Sequence, residues 1–172
     1  MPTGGGKSLC YSMPAAIETD LTTLVVSPLV SLIKDQIMNL KSIKMLNVFC
    51  LDASTKQSES NMILKRMVSS NPDERIHMLY VTPEKIFKSQ KFRDVLNSVY
   101  CEGLLSRVVI DEAHCCSQWG HDFRSDYLNL RQLKSMFPGK LFHYIFFYSF
   151  NFYFYFIHLI YIFLFYYFSL FI

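Results

Sequence analysis

Charged residues are absent from the last 32 positions of the chain. All 31 Asp, Glu, Lys and Arg residues lie at or before Lys140, whereas 18 of the final 32 residues are Phe or Tyr. This change excludes one uniform domain over the whole sequence. We interpret residues 1–139 as a domain long enough to bury a core, and residues 140–172 as an aromatic, low-complexity tail outside it.

The sequence also lacks C-x-x-C pairs, an apolar signal-peptide core and a strong net charge. The spacing of the cysteines does not indicate a zinc knuckle or a redox pair; they are Cys10, Cys50, Cys101, Cys115 and Cys116. An odd number of cysteines without a signal peptide favours a reducing compartment over a disulfide-bonded secreted scaffold. The net charge of +3 is too small to indicate nucleic-acid binding by itself.

Apolar runs typical of buried strands alternate with segments of helical periodicity. The predicted strands are residues 22–28, 46–51, 76–84 and 104–112, and the predicted helices are residues 29–43, 54–68, 91–100 and 126–137. This alternation predicts an α/β fold with a parallel sheet sandwiched by helices. Ligands of such sheets bind at the carboxyl ends of the strands.

The stretch "MPTGGGKS" (residues 1–8) has the composition of a phosphate-binding loop. Glycines let backbone N–H groups approach phosphate oxygens, and a helix that begins near Lys7 adds a favourable dipole. Lys7 would contact the β- and γ-phosphates, and the Ser8 hydroxyl would bind Mg²⁺. The strict pattern requires Gly where this chain has Met1, so a flexible glycine loop is the alternative.

Two adjacent carboxylates, Asp111 and Glu112, follow the strand "RVVI". Beside a phosphate-binding loop, Asp111 would hold Mg²⁺ and Glu112 would orient or deprotonate the attacking water. On its own such a pair is usually a solvated strand end. Both motifs are expected at the same edge of the sheet.

Together, "MPTGGGKS" and "DEAH" (residues 111–114) resemble the motor of superfamily 2 helicases. The loop "HCCSQWGHDFRSDY" (residues 114–127) resembles the aromatic-rich loop of the RecQ family of DNA helicases, and in particular of its short animal Q-type members. Three further segments match that family in order: "LCYSMPA" (residues 9–15), "SPLVSLIKDQ" (residues 27–36) and "YVTPEKI" (residues 80–86). The resemblance ends near residue 139.

The resemblance implies a P-loop NTPase fold, namely an incomplete RecA-like first motor domain, with ATP and Mg²⁺ as cofactors. It implies ATP binding by Thr3, Gly4, Gly5, Gly6, Lys7 and Ser8, a metal site at Ser8 and Asp111, and catalysis by Lys7, Asp111 and Glu112. The implied reaction is ATP-dependent 3′–5′ DNA unwinding in repair and recombination, in the nucleus. Residues 27–36 and 81–84 resemble the segments that contact the DNA backbone.

The loop after Glu112 carries the residues that, in the family, couple DNA binding to ATP hydrolysis: His114, Trp119, Phe123 and Arg124. Aromatic rings can stack on exposed bases of single-stranded or forked DNA, and Arg can contact phosphate or a ring. The alternative is that Trp119 and Phe123 only pack the loop onto the domain.

The chain departs from the family at Ser12, where Gln is usual, and at Ser125, where Pro is usual. We expect several parts of the family to lie outside this sequence: the strand before the phosphate loop, the adenine-reading segment, a Thr-Ala-Thr motif and the second motor domain with its arginines. The chain would then be an inactive fragment of a helicase. A truncated, non-catalytic module that binds DNA or a partner is the alternative.

The aromatic tail is long enough to span a bilayer, since about 20 apolar residues suffice. Phe and Tyr dominate it throughout, however, and Asn151 and His158 interrupt it. We favour translated non-coding sequence or an alternative end, and consider a membrane anchor unlikely. An unusual interaction tail is the third interpretation.

Overall fold

The computed structural model describes residues 7–41, 46–113 and 129–144. Its strands are β1 (Thr22–Val26), β2 (Val48–Leu51), β3 (Met78–Val81), β4 (Leu105–Ile110) and β5 (Leu141–Tyr144). Its α-helices are α1 (Leu9–Ile17), α2 (Val30–Lys41), α3 (Gln57–Met67), α4 (Pro83–Lys88), α5 (Gln90–Cys101) and α6 (Arg131–Met136), and a 3₁₀ turn covers Pro72–Glu74. The predicted alternation of strands and helices is confirmed.

Within these residues, five parallel strands form one sheet in the order β2-β3-β1-β4-β5. Strand β1 lies at the centre, and Val26 at its end is level with Val81 of β3 and with Ile110 of β4. The segments that follow these three strands therefore all begin at one edge of the sheet. This is the edge where parallel α/β sheets bind their ligands.

Helices cover both faces of the sheet, as expected for strands that are apolar on both sides. Helices α1 and α2 pack on one face, where Tyr11 and Ile33 are buried in the core. Helices α3, α5 and α6 pack on the other face, where Ile63 and Leu96 are buried. Burial on two faces explains why the sequence of β1 reads as a continuous apolar run.

Helix α1 is joined to β4 by a buried ion pair at the end away from the ligand-binding edge. The Arg107 guanidinium, 2% exposed, contacts the carboxylate of Glu18, the residue that caps the C-terminus of α1. It also donates to Ser106 Oγ at 2.9 Å. Partly buried pairs of this kind hold two elements in a defined orientation, because a single unpaired charge there is costly.

The start of α3 differs from the prediction, which placed a Ser/Thr start at residue 54. The helix begins at Gln57, and both hydroxyls bond instead to Asp52 in the turn after β2: Ser54 Oγ donates to Asp52 Oδ1 at 2.7 Å and Thr55 Oγ1 at 3.1 Å. Local Asp–Ser contacts compete with helix capping for the same side chains.

The sheet continues past the boundary expected at residue 139, with a four-residue strand that ends at Tyr144. After a turn at Gly139, where φ is 78°, Leu141–Tyr144 pairs in parallel with β4. The Tyr100 hydroxyl donates to the carbonyl of Pro138 at 2.8 Å and so holds this turn against α5. A short run of apolar and aromatic residues suits a strand at this position.

Residues 145–172 lie outside the described residues, so the interpretation of the tail stays a prediction. Within the described ranges, the helices are too short or too polar to cross a membrane.

Candidate active site

The end of the phosphate-loop motif leads directly into α1. Ser8 has helical backbone angles at the N-cap position, and its carbonyl accepts from the N–H of Ser12 at 2.9 Å. The Ser8 side chain makes no capping hydrogen bond, and the first turn of α1 contains no acidic residue. The helix N-terminus therefore keeps its partial positive charge, and the hydroxyl is not engaged in capping. Thr3, Gly4, Gly5 and Gly6 lie outside the described residues.

The acidic pair lies immediately after β4. The Asp111 N–H donates to the carbonyl of Val26 at 2.8 Å, which extends the ladder between β4 and β1 by one residue. Asp111 is 5% exposed, and its Oδ1 accepts from the N–H of Glu112 at 3.0 Å. This carboxylate is thus held by the backbone at the ligand-binding edge of the sheet.

Glu112 has an unusual backbone conformation, with φ at 51°. A side chain in this left-handed region costs roughly 1–2 kcal/mol. Such strain is found mainly at functional sites, where the surroundings hold it in place. Here the strained residue lies in the turn that directly follows β4 and Asp111.

Lys7 and Glu112 form an ion pair although they are about a hundred residues apart in the sequence. Lys7 Nζ lies 3.6 Å from Glu112 Oε1, and the two side chains are 15% and 13% exposed. The structure therefore brings Lys7, at the end of the phosphate-loop motif, beside the acidic pair.

These groups fit a nucleotide with its magnesium ion. They combine an amine, a hydroxyl, a buried carboxylate and the N-terminus of a helix whose first turn contains no acidic residue. Among the described residues, no group of three or more His, Cys, Asp or Glu could hold a metal ion. Mg²⁺ commonly binds through one or two protein ligands, water and substrate phosphates, so Ser8 and Asp111 would suffice.

The segments that resemble DNA-contacting motifs begin at the same edge. Ser27, which follows β1, is buried, and its N–H donates to the carbonyl of Val81 at 3.1 Å. Thr82 follows β3 and is the N-cap residue of α4. The loop residues His114, Trp119, Phe123 and Arg124 lie outside the described residues, and their roles stay predictions.

Two tyrosines near the site were missed in the sequence. Tyr11 of α1 and Tyr80 of β3 are 1% and 0% exposed, and their hydroxyls interact with each other in the core. A tyrosine in a buried strand is a usable signal, because its hydroxyl normally requires a partner. In "MLYV" that signal was masked by the apolar pattern of the strand.

Three comparisons relate this chain to known proteins. Residues 1–148 match the family model described as DEAD/DEAH box helicase. ATP-dependent DNA helicase Q-like 2 of Arabidopsis thaliana is 49% identical over 80% of this chain and 19% of its own length. ATP-dependent DNA helicase Q1 of Mus musculus is 48% identical over 80% of this chain and 21% of its own length. The chain thus spans about a fifth of these relatives.

The fold is also found among solved structures. The crystal structure of the DUF1998 helicase MrfA bound to DNA and AMPPNP matches with a TM-score of 0.63. It covers 85% of this chain and 21% of the matched chain, at 22% sequence identity.

Proposed function

Because the chain belongs to the DEAD/DEAH box helicase family, we propose that it is part of the first motor domain of a RecQ-type, ATP-dependent DNA helicase. The observation that carries the proposal is the ion pair between Lys7 and Glu112, which joins the two halves of a nucleotide site. The whole enzyme would hydrolyse ATP to unwind DNA in the 3′–5′ direction.

Each residue of the site has a defined task in this proposal. The backbone of the glycine loop and Lys7 bind the phosphates, while Ser8 and Asp111 hold Mg²⁺. The ion supplies positive charge that offsets the charge of the phosphates. Glu112 orients the attacking water and accepts its proton, for which its place beside Asp111 and opposite Lys7 is suitable.

The ion pair places a carboxylate beside the amine that is proposed to contact phosphate. Glu112 provides the negative charge that a phosphate would otherwise offer to Lys7. Binding of phosphate therefore exchanges one anionic partner of Lys7 for another, and Glu112 becomes available to water. This exchange links the arrival of ATP to the activation of the base.

We propose that single-stranded or forked DNA contacts the segments after β1 and β3. Their first residues, Ser27 and Thr82, lie at the same sheet edge as Asp111. DNA bound there would be sensitive to movement of the nucleotide site. A second motor domain would complete the site, since phosphoryl transfer requires further positive charge in the transition state.

Replacement of Lys7 tests the nucleotide site. We expect Lys7→Ala to weaken binding of a fluorescent ADP analogue about tenfold or more, because a charge-assisted contact to phosphate contributes about 1.5–3 kcal/mol. Stability should change by less than about 1 kcal/mol, since the pair is partly solvated. Fluorescence titration and urea unfolding measure the two effects.

Lys65→Ala, an exposed lysine in α3, is the matched control and should bind nucleotide as the wild type does. Equal nucleotide affinity of the wild type and Lys7→Ala would overturn the proposal.

A further inference from the structure

Helix α1 is apolar on both its inner and its outer face. The inner face, with Tyr11 and Ala15, belongs to the same core as Tyr80, Val25 and Val109, which lie side by side in adjacent strands. The sequence of α1 contains no Asp, Glu, Lys or Arg. A helix that is apolar on every side is normally buried on every side, so the outer face of α1 requires a partner as well.

The outer face is an exposed row of three large apolar side chains, which we call the α1 stripe. Leu9, Met13 and Ile17 follow one another at intervals of four residues and therefore lie on one side of the helix. Their exposed fractions are 53%, 46% and 71%. A contiguous apolar patch of this kind marks a surface that binds something.

The α1 stripe differs from Met38 of α2, which lies on the same side of the sheet. Met38 is 72% exposed, but Lys34 and Asp35 lie one turn before it and are exposed too. Single exposed apolar residues among charged ones are common on protein surfaces and need no partner. Met38 is therefore a suitable control position for the stripe.

The chain contains a segment whose composition suits the α1 stripe. Residues 145–172 include no Asp, Glu, Lys or Arg, and 16 of these 28 residues are Phe or Tyr. Aromatic side chains bury large areas, and removing their rings from water is favourable. Rings also make favourable contacts with the sulfur of a methionine, which Met13 offers.

The same segment starts near the beginning of the stripe. Residue 145 follows Tyr144, which is level with Ile110 of β4. Glu112, two residues further along, pairs with Lys7, and Leu9 comes two residues after Lys7. These steps add up to at most about 30 Å, which about ten extended residues span. The stripe is about 12 Å long, so about four more extended residues cover it.

Attachment to β5 gives this segment an advantage over a second molecule. A tethered segment acts at an effective concentration that is roughly millimolar for a short flexible connection. A second copy of the chain in a dilute solution offers its own apolar surface at a far lower concentration. The occupant in the same chain is therefore favoured.

We propose that residues 145–172 lie against the α1 stripe and cover Leu9, Met13 and Ile17. The proposal applies to the 172-residue chain whatever the origin of its tail. It gives the interpretation of the tail as an interaction segment a definite partner, namely the outer face of α1. It does not depend on nucleotide binding.

Photo-cross-linking of the full 172-residue chain tests the contact directly. Ile17→p-benzoylphenylalanine places a photoreactive ring at the most exposed position of the stripe. After irradiation of a dilute solution, we expect a cross-linked product with the mass of one chain. Mass spectrometry of its peptides should locate the cross-link within residues 145–172. Met38→p-benzoylphenylalanine, at an equally exposed position of α2, is the matched control and should lose this product.

Limited proteolysis with chymotrypsin measures how well the tail is covered. The protease cleaves after aromatic residues, so an uncovered tail offers it many sites. We expect Ile17→Glu to speed cleavage within residues 145–172 about tenfold, because rings cannot cover a carboxylate without removing its water. Met38→Glu should leave the rate unchanged. Both positions are exposed, so both variants should fold, and thermal melting checks this.

Three outcomes would overturn the proposal. Cross-links found only in products with the mass of two chains would assign the stripe to a second copy. The absence of cross-links from position 17 to residues 145–172 would separate the tail from α1. Equal cleavage rates of the wild type and Ile17→Glu would show that the stripe does not protect the tail. None of these results bears on the nucleotide site, since the variants leave Lys7 and Asp111 unchanged.

Discussion

At the scale of single residues, Glu112 combines a strained backbone with a charge that pairs with Lys7. A side chain held at positive φ restricts where the carboxylate can lie. The carboxylate lies 3.6 Å from the amine that phosphate would contact. The residue therefore competes with the ligand for Lys7.

Removal of this charge has a predictable effect. We expect Glu112→Gln to bind the fluorescent ADP analogue roughly 1.5-fold to fivefold more tightly, because a partly solvated ion pair contributes about 0.2–1 kcal/mol and no longer has to break. Stability should change little, since Gln keeps the length of the side chain. Fluorescence titration measures the affinity.

Glu102→Gln, which neutralises an exposed carboxylate at the end of α5, is the control and should leave the affinity unchanged. Weaker binding by Glu112→Gln would contradict the competition between Glu112 and phosphate.

The chemistry of these residues could be predicted from the sequence, whereas their mutual geometry could not. Lys7, Ser8, Asp111 and Glu112 are recognisable because each follows a local pattern of glycines or of strand residues. The positive φ of Glu112 and its distance from Lys7 depend on contacts between segments far apart in the chain. The placement of Tyr80 and Asp111 on one face of the sheet depends on strand order as well.

At the scale of elements, α1 and β4 are connected at both ends. Lys7, just before α1, pairs with Glu112, just after β4. Glu18, just after α1, pairs with Arg107 near the start of β4. The helix that carries the phosphate loop and the strand that carries the acidic pair are thus aligned by two separate ion pairs.

The Glu18–Arg107 pair should matter for stability. We expect Glu18→Ala to lower the free energy of unfolding by about 3–5 kcal/mol, because it leaves the nearly buried Arg107 guanidinium without its carboxylate. Urea unfolding followed by circular dichroism measures the loss.

The double variant Glu18→Ala/Arg107→Met is the control, since replacing both charges removes the unpaired one and should recover much of the stability. A loss below about 1 kcal/mol in Glu18→Ala would show that the pair does not hold the two elements together.

The central strands could be predicted because each is a buried apolar run closed by Pro or by acidic residues. Helix α4 was not predicted, because the sequence pattern extends the strand to residue 84 and the Pro in "YVTPE" resembles a strand end. Thr82 before Pro83 is in fact an N-cap followed by proline in the first turn, a helix-start signal that the apolar run obscured. Strand β5 was not expected either, because its residues share the composition of the segment that follows.

At the scale of the whole molecule, the α/β fold and the RecQ resemblance are confirmed. The fold prediction depended on several alternating strand and helix segments, and the resemblance depended on several motifs in a fixed order. The aromatic segment could not be interpreted in this way, because its uniform composition offers no pattern that distinguishes strand, helix or tail. Most of each relative's length lies beyond the part that matches this chain.

Strand separation should require more than this chain. We expect the purified 172-residue protein to leave a forked duplex intact in the presence of ATP and Mg²⁺, because the second motor domain implied by the resemblance supplies the remaining charge and the moving surface. A fluorescence unwinding assay measures the separated strand, with mouse helicase Q1 as the positive control. ATP-dependent unwinding by this chain alone would contradict the prediction.

Strands β1, β3 and β4 end at the same level, so the exact number of residues in β4 decides on which face of the sheet Asp111 lies. Asp111 lies on the same face as Tyr80 because it follows Val109 by two positions, which is one full period of a strand. One residue added to or removed from β4 would turn the carboxylate towards α3 and α5, into a core that offers it no partner. Two residues would restore its face but move it by about 7 Å along the strand. The length of β4 is therefore constrained as strictly as the identity of the acids that follow it.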